Sequence, residues 1–198
     1  MAGKTYKVTN GLKKGYIALL KEDGSYDKCT ELGDLIEVSV SITENTAKLS
    51  AGNYTILTDT ALGEIAVSVS LPEVSDEIKC ILFGHSKGTL GEIIQTSNDV
   101  KPYVALCFER TMKNSANGKE ISEFVTLYKG QFNLVEKKAK TKEDGTVEFQ
   151  TESISGTFMP LSTNGNMYMS SLKSDATGFS SETFKFGQEV HVPEVAAE

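Results

Sequence analysis

Two stretches of strict alternation constrain this chain more than anything else in it. Ile36, Val38, Val40 and Ile42 alternate with Glu37, Ser39, Ser41 and Thr43, and Ile65, Val67, Val69 and Leu71 alternate with Glu64, Ala66, Ser68 and Ser70. A period of two puts all the branched apolar side chains on one strand face and leaves hydroxyls and acids on the other. The chain must therefore build a sheet with one buried face and one small, polar, acidic face.

The period changes once with comparable force. Val74, Ile78, Ile81 and Leu82 form a helical stripe, with Pro72 just inside the start, acids in the first turn and Gly84 after the end, which predicts one short helix over about 72–83. The second half reads as an antiparallel meander. Lys101–Met112 turns at Asn117-Gly118 into a long strand Glu120–Glu136, with a bulge at Gly130. A lysine-rich tip carrying Lys137, Lys138, Lys140 and Lys142 ends at Asp144-Gly145 and leads back through Val147–Met159. This hairpin should project; its lysines suit either plain solvation or a phosphate or acidic protein face. Lys4–Thr9 and Gly15–Leu20 are further strands, the latter turned by Asp23-Gly24. The expected fold class is mainly β, a two-sheet β-sandwich or barrel with one flanking short α-helix.

Two segments fit that plan poorly. Residues 44–63 read as an over-long loop, yet they carry Tyr54, Ile56 and Leu57, which a solvated loop would not choose. Residues 161–198, rich in Ser, Gly and Asn, read as a C-terminal extension with a little strand content, ending in a disordered Val-Pro-Glu-Val-Ala-Ala-Glu. Residues 1–160 then form the single main domain, and 198 residues are enough to bury roughly 70% of the unfolded surface without a disulfide or metal.

Charge excludes a sequence-reading nucleic-acid binder. The net charge is −7, and Arg110 is the only arginine, where base recognition would use several guanidinium forks on a basic face. Transient DNA contact stays compatible. The charge is segregated into blocks: residues 1–21 hold five lysines and no acid, 22–99 are strongly acidic, 100–142 basic and 143–198 acidic again. Such blocks could dock one copy on the next. No apolar run is long enough for a membrane span, and the N-terminus lacks the apolar core of a secretory signal. Cys29, Cys80 and Cys107 are too widely spaced for a metal knuckle and read as buried, reduced thiols.

Chemistry-bearing motifs are sparse. Gly84-His85-Ser86-Lys87-Gly88 matches a nucleophile elbow, with His191 following, but an elbow needs a strand running in and a helix running out, the reverse of this context. His85 and His191 lack ligand spacing, and no phosphate-binding glycine loop is present, so the expectation is no enzyme, no metal and no cofactor.

Three stretches then carry a family likeness: Gly63–Val67 leading through Leu71-Pro72-Glu73 into the helix and Phe83-Gly84; Val100–Glu109; and Phe124–Phe132 followed by Thr151–Phe158. In order and spacing, over roughly residues 10–160, the chain resembles the major tail proteins, or tail tube proteins, of long-tailed non-contractile bacteriophages of Gram-positive hosts. That resemblance implies a two-sheet sandwich whose copies form hexameric rings, stacked into a hollow tail tube assembled in the host cytoplasm. It implies a tape measure protein inside, tail terminator and distal tail proteins at the ends, and passage of DNA at ejection. On this reading Glu37, Ser39, Ser41, Thr43, Glu64, Ser68 and Ser70 are candidates to face the lumen, where acids and hydroxyls let DNA slide. Tyr54, Ile56 and Leu57 are candidates for contacts between subunits or rings. The rivals are a β-sandwich binding or decoration module and, more remotely, a serine hydrolase built on Ser86.

Overall fold

The computed structural model describes residues 5–133, 151–162 and 166–194. The lysine tip (Lys137, Lys138, Lys140, Lys142), the start of the predicted strand at Val147 and the last four residues fall outside them. The strands are β1 (Lys7–Leu19), β2 (Thr30–Asp34), β3 (Glu37–Ala51), β4 (Tyr54–Leu71), β5 (Ser86–Lys87), β6 (Ile93–Ile94), β7 (Val104–Asn114), β8 (Glu120–Phe132), β9 (Glu152–Met159) and β10 (Met169–Lys173); the helix α1 spans Asp76–Phe83. The chain is mainly β, as expected. Eight strands form one antiparallel sheet in the order β2-β1-β7-β8-β9-β4-β3, with β10 beside β8, and β5-β6 form a small second sheet.

A corner between β2 and β3 brings the two ends of that sheet together. Leu35 N–H bonds the Lys13 carbonyl of β1, and Ile36 N–H bonds the Ser70 carbonyl of β4. Consecutive amides of an extended chain point to opposite sides, so two adjacent residues tie opposite ends of the strand order and fold the sheet over itself. One apolar cluster fills the space between the layers. It takes Ile17 from β1, Val67 and Val69 from β4, Leu106 and Phe108 from β7, Leu127 and Phe132 from β8, and Ile154 and Phe158 from β9. Each such side chain contributes about 1.5–3 kcal/mol when fully buried.

Helix α1 closes one end of this core with Ile78, Leu82 and Phe83. It is shorter than the predicted 72–83. Val74 N–H is taken by Glu152 Oε2 at 2.8 Å, and extended Ser75 caps the helix by accepting from Ile78 N–H, so Pro72 stays four residues outside the first turn. Gly84 ends it in the left-handed region at φ 71°, where a Cβ would lie 2.4 Å from the Val100 carbonyl.

Strands β7 and β8 contain unbroken buried runs, Val104–Phe108 and Val125–Tyr128, because both of their faces are covered. The core covers one face. Over the other lie the Tyr26 side chain, whose Oη donates to the Tyr128 carbonyl at 2.8 Å, and the segment after β10, whose Phe179, Phe184 and Phe186 gather around Phe124 while Phe186 meets Tyr16 edge-on. The bulge expected at Gly130 falls in place: the β7–β8 register shifts between Leu127 and Gly130, where the far edge of β8 passes from β10 to β9. Gly130 lies opposite Phe158, and Gly156 opposite Phe132, so each glycine admits the ring across from it.

Residues 44–63 are not a loop. β3 and β4 continue past the core as an antiparallel hairpin, Glu44 opposite Leu62 through Ala51 opposite Tyr54. The two-residue turn Gly52-Asn53 has φ of 60° and 66°, the positive pair that a tight hairpin of matching twist requires. From Thr43 to the tip the hairpin reaches about 30 Å at roughly 3.3 Å per residue. Every residue from Ser41 to Leu62 on this arm is exposed.

Candidate functional site

The hydroxyl residues seen in β3 and β4 belong to a wider surface. Opposite residues across β3, β4 and β9 form rows: Glu37, Ser70 and Ser153; Ser39, Ser68 and Ser155; Ser41, Ala66 and Thr157, the last row continuing to Gln131 on β8. Their partners in the alternation, Val67, Val69, Ile154 and Gly156, face the core, so the outward side is fixed by burial on the inward one. Ser70 and Ser153 hydroxyls share a hydrogen bond of 2.9 Å. Glu37, Ser39, Ser41, Thr43, Glu64 and Ser68 are all exposed and Ser70 is half-buried. No row contains a basic side chain; Lys129, at the far end of β8, holds its ammonium 4.7 Å above the Tyr103 ring. Ser153, Ser155 and Thr157 were not among the sequence candidates, though the alternation of β9 carries them.

The arm extends this same side of the sheet. A register shift at Thr43/Gly63 separates it from the core-bound part, and a second shift makes Ile56 an extra residue of β4. Leu49 stands opposite Leu57 and Ala51 opposite Tyr54, so these four line one side of the distal arm, while Glu44, Thr46 and Lys48 face the other with Leu62, Thr60 and Thr58. Tyr54, Ile56 and Leu57 are 67, 56 and 61% exposed, and Leu49, which sequence reasoning passed over, is 60% exposed. At the arm's base, Ile42, Leu62, Gly63, Ile65, Tyr168 and Met169 line an open apolar groove of about 230 Å³. Tyr168 Oη donates to the Leu62 carbonyl at 3.3 Å and anchors the base.

Strand β3 is also the last strand of its sheet. It pairs with β4 along its length, and its other edge has no strand partner among the described residues. Fifteen residues of unpaired strand edge are a template for a further strand. Polar rim, apolar arm and open edge therefore coincide on one hairpin.

The sequence's catalytic suspects are placed elsewhere. Ser86 lies in β5 opposite Ile94. His85 is engaged at both ring nitrogens, by Asp99 Oδ2 at 2.7 Å and by Gln95 Nε2 at 3.1 Å. Bonds from the Thr96 hydroxyl and amide, then from His85, hold the Asp99 carboxyl down at about 2. His191 packs edge-on against Phe184, and its carbonyl accepts from Tyr128 Oη. Among the described residues no cluster of three His, Cys, Asp or Glu side chains could hold a metal. Glu123 is buried on β8 and bonded by Arg110 and by Ser171 Oγ at 2.7 Å; burial pushes its carboxyl up, but these two bonds outweigh it and the net shift is downward. The sole arginine is thus committed to an internal ion pair.

No family model matches the chain, and no curated protein matches it in sequence. No helix among the described residues is long and apolar enough to cross a membrane.

Proposed function

We propose that this protein is a structural subunit that assembles with copies of itself into stacked rings around a hollow tube, the tail tube of a long-tailed bacteriophage. The observation that carries the proposal is the β3–β4 arm. It holds an open strand edge and four large apolar side chains in solvent, an arrangement that becomes favourable once a second copy covers it. Edge pairing between copies extends each sheet around the ring, and closure of a ring of six leaves no strand edge exposed. The distal arm reaches beyond its own subunit, so Leu49, Tyr54, Ile56 and Leu57 bury against a neighbour or the next ring.

The rows of serine, threonine and glutamate then face the lumen. Acids repel phosphate, and hydroxyls on a flat sheet offer DNA no bidentate cationic site, so a polyanion passes without being held. A tape measure protein occupies the tube during assembly, and tail terminator and distal tail proteins cap it in the virion. A density map of assembled tubes tests this directly: the account requires Ser39, Ser68 and Ser155 on the bore, and contradicts a map that puts them on the exterior.

A further inference from the structure

A second apolar surface lies at the other end of β4 from the arm. Strand β4 runs from the arm through its core-bound part to Leu71, α1 follows, and the β5–β6 hairpin comes directly after α1. Just beyond the hairpin, the Val100 carbonyl lies against Gly84, and the neighbouring Lys101 carbonyl accepts from Gln131 Nε2 near the end of β8 at 2.8 Å. These contacts hold the hairpin at the helix end of the core. Three large apolar side chains are left in solvent there: Leu90 is 93% exposed, Val100 80% and Ile94 42%.

The backbone beneath them is fixed. The Glu92 carbonyl accepts from Gly88 N–H at 2.8 Å and its Oε2 from Leu90 N–H at 3.0 Å, while Gly91, at φ 89°, bonds back to the Gly88 carbonyl at 3.1 Å. Ile94 stands opposite Ser86, and the 2.7 Å hydrogen bond between His85 and Asp99 ties the segment before Val100 to the start of the hairpin. The three side chains therefore sit on one preorganised piece, which has little freedom left to lose on binding. A tight, fully bonded turn that lifts Leu90 clear of its own copy leaves it nothing to pack on within that copy.

We infer that this surface is the seat for the arm of a second copy, an inference that rests on the arm's role in assembly. The two patches match in size. At about 150–250 Å² for a large side chain, Leu49, Tyr54, Ile56 and Leu57 offer roughly 450 Å², and Leu90, Ile94 and Val100 roughly 400 Å². Together they make the apolar centre of a contact of standard size, about 1,200–2,000 Å² in all. Charge is matched as well. The carboxylates of the seat are engaged, Glu92 by the Leu90 amide and Asp99 by His85 and Thr96, and Lys87 stays exposed. On the arm, exposed Glu44 and Asp59 outnumber Lys48. Because arm and seat lie at opposite ends of β4, the contact is head-to-tail. Each copy gives its arm to one neighbour and receives the arm of another, so the contact propagates.

The test mixes two variants that each keep one half of the contact. The arm variant (Tyr54→Ser, Ile56→Ser, Leu57→Ser) keeps the seat, and the seat variant (Leu90→Asp, Val100→Ser) keeps the arm; circular dichroism checks both folds. The inference expects neither to build tubes alone, and the mixture to give dimers of one copy of each that grow no further in sedimentation velocity at high concentration. Should the seat variant not fold, oxidising Leu57→Cys protein together with Leu90→Cys protein reads the same contact, the expected product being a peptide linked between positions 57 and 90. Full tubes from the seat variant, or an arm linked to other parts of the chain instead, overturn the inference and leave the proposed assembly standing. Unaltered protein that builds no tubes overturns the proposed assembly, and the mixture still decides the contact: association only in the mixed sample upholds it, and none overturns it.

Discussion

Replacing Tyr54, Ile56 and Leu57 together by serine should separate folding from assembly. The three side chains are 67, 56 and 61% exposed in the single chain, so folding has buried only the minor part of each. Full burial of such side chains is worth about 1.5–3 kcal/mol apiece, which leaves about 1–2 kcal/mol each to be gained at an interface. Three serines therefore remove about 4 kcal/mol per arm, on the order of a thousandfold in the association constant of one contact. In the proposed assembly each arm makes its contact in every ring, so tubes should disappear. Exposed substitutions away from the core cost about 0.5 kcal/mol or less each, so the monomer's Tm should move by only a few degrees. Thermal unfolding followed by circular dichroism reads the stability of the monomer, and sedimentation velocity with electron microscopy reads assembly. Tubes of unchanged length and yield would refute the role of the arm. A monomer that fails to fold would refute its description as solvent-exposed.

Further outcomes follow from other parts of the structure. Amides of residues 44–62 should exchange rapidly in unassembled protein, since a lone two-stranded hairpin is marginal in water, and become protected on assembly. Glu123→Gln should cost about 2 kcal/mol at neutral pH by leaving Arg110 without its charged partner. Because the folded Glu123 carboxyl lies below the ordinary glutamate value of about 4.3, its contribution is present above that pH and is lost as pH falls through the folded value. The difference between wild type and variant in urea unfolding should therefore shrink on acidification; a pH-independent gap would contradict the assignment. Gly130→Ala places a Cβ 2.5 Å from the Phe158 ring and should lower stability by about 1–3 kcal/mol, measured by the same unfolding curves. Introducing lysine at Ser39, Ser68 and Ser155 should create salt-dependent DNA binding in a gel-shift assay that the unaltered protein lacks.

The sheet was legible in the sequence wherever one face is buried and the other wet. In β3 and β4 the alternation of Val38, Val40, Val67 and Val69 with serines states both the strand and its orientation. The same rule concealed the arm. Beyond Thr43 neither face is buried, so the polar and apolar residues no longer alternate and the strand resembles a loop; only Gly52-Asn53, a two-residue hairpin turn, marks what it is. The helix was legible in type but not in start, because a side chain from β9, Glu152, takes the Val74 amide that an earlier turn would use. Ser153, Ser155 and Thr157 join the hydroxyl rows through pairing across some ninety residues of chain, which local pattern does not encode.

Electron microscopy of the purified protein at high concentration tests the central claim most directly. The account predicts rings with a central hole, stacking into tubes of constant diameter. Strictly monomeric particles at every concentration, with the β3–β4 arm still exposed, would contradict it.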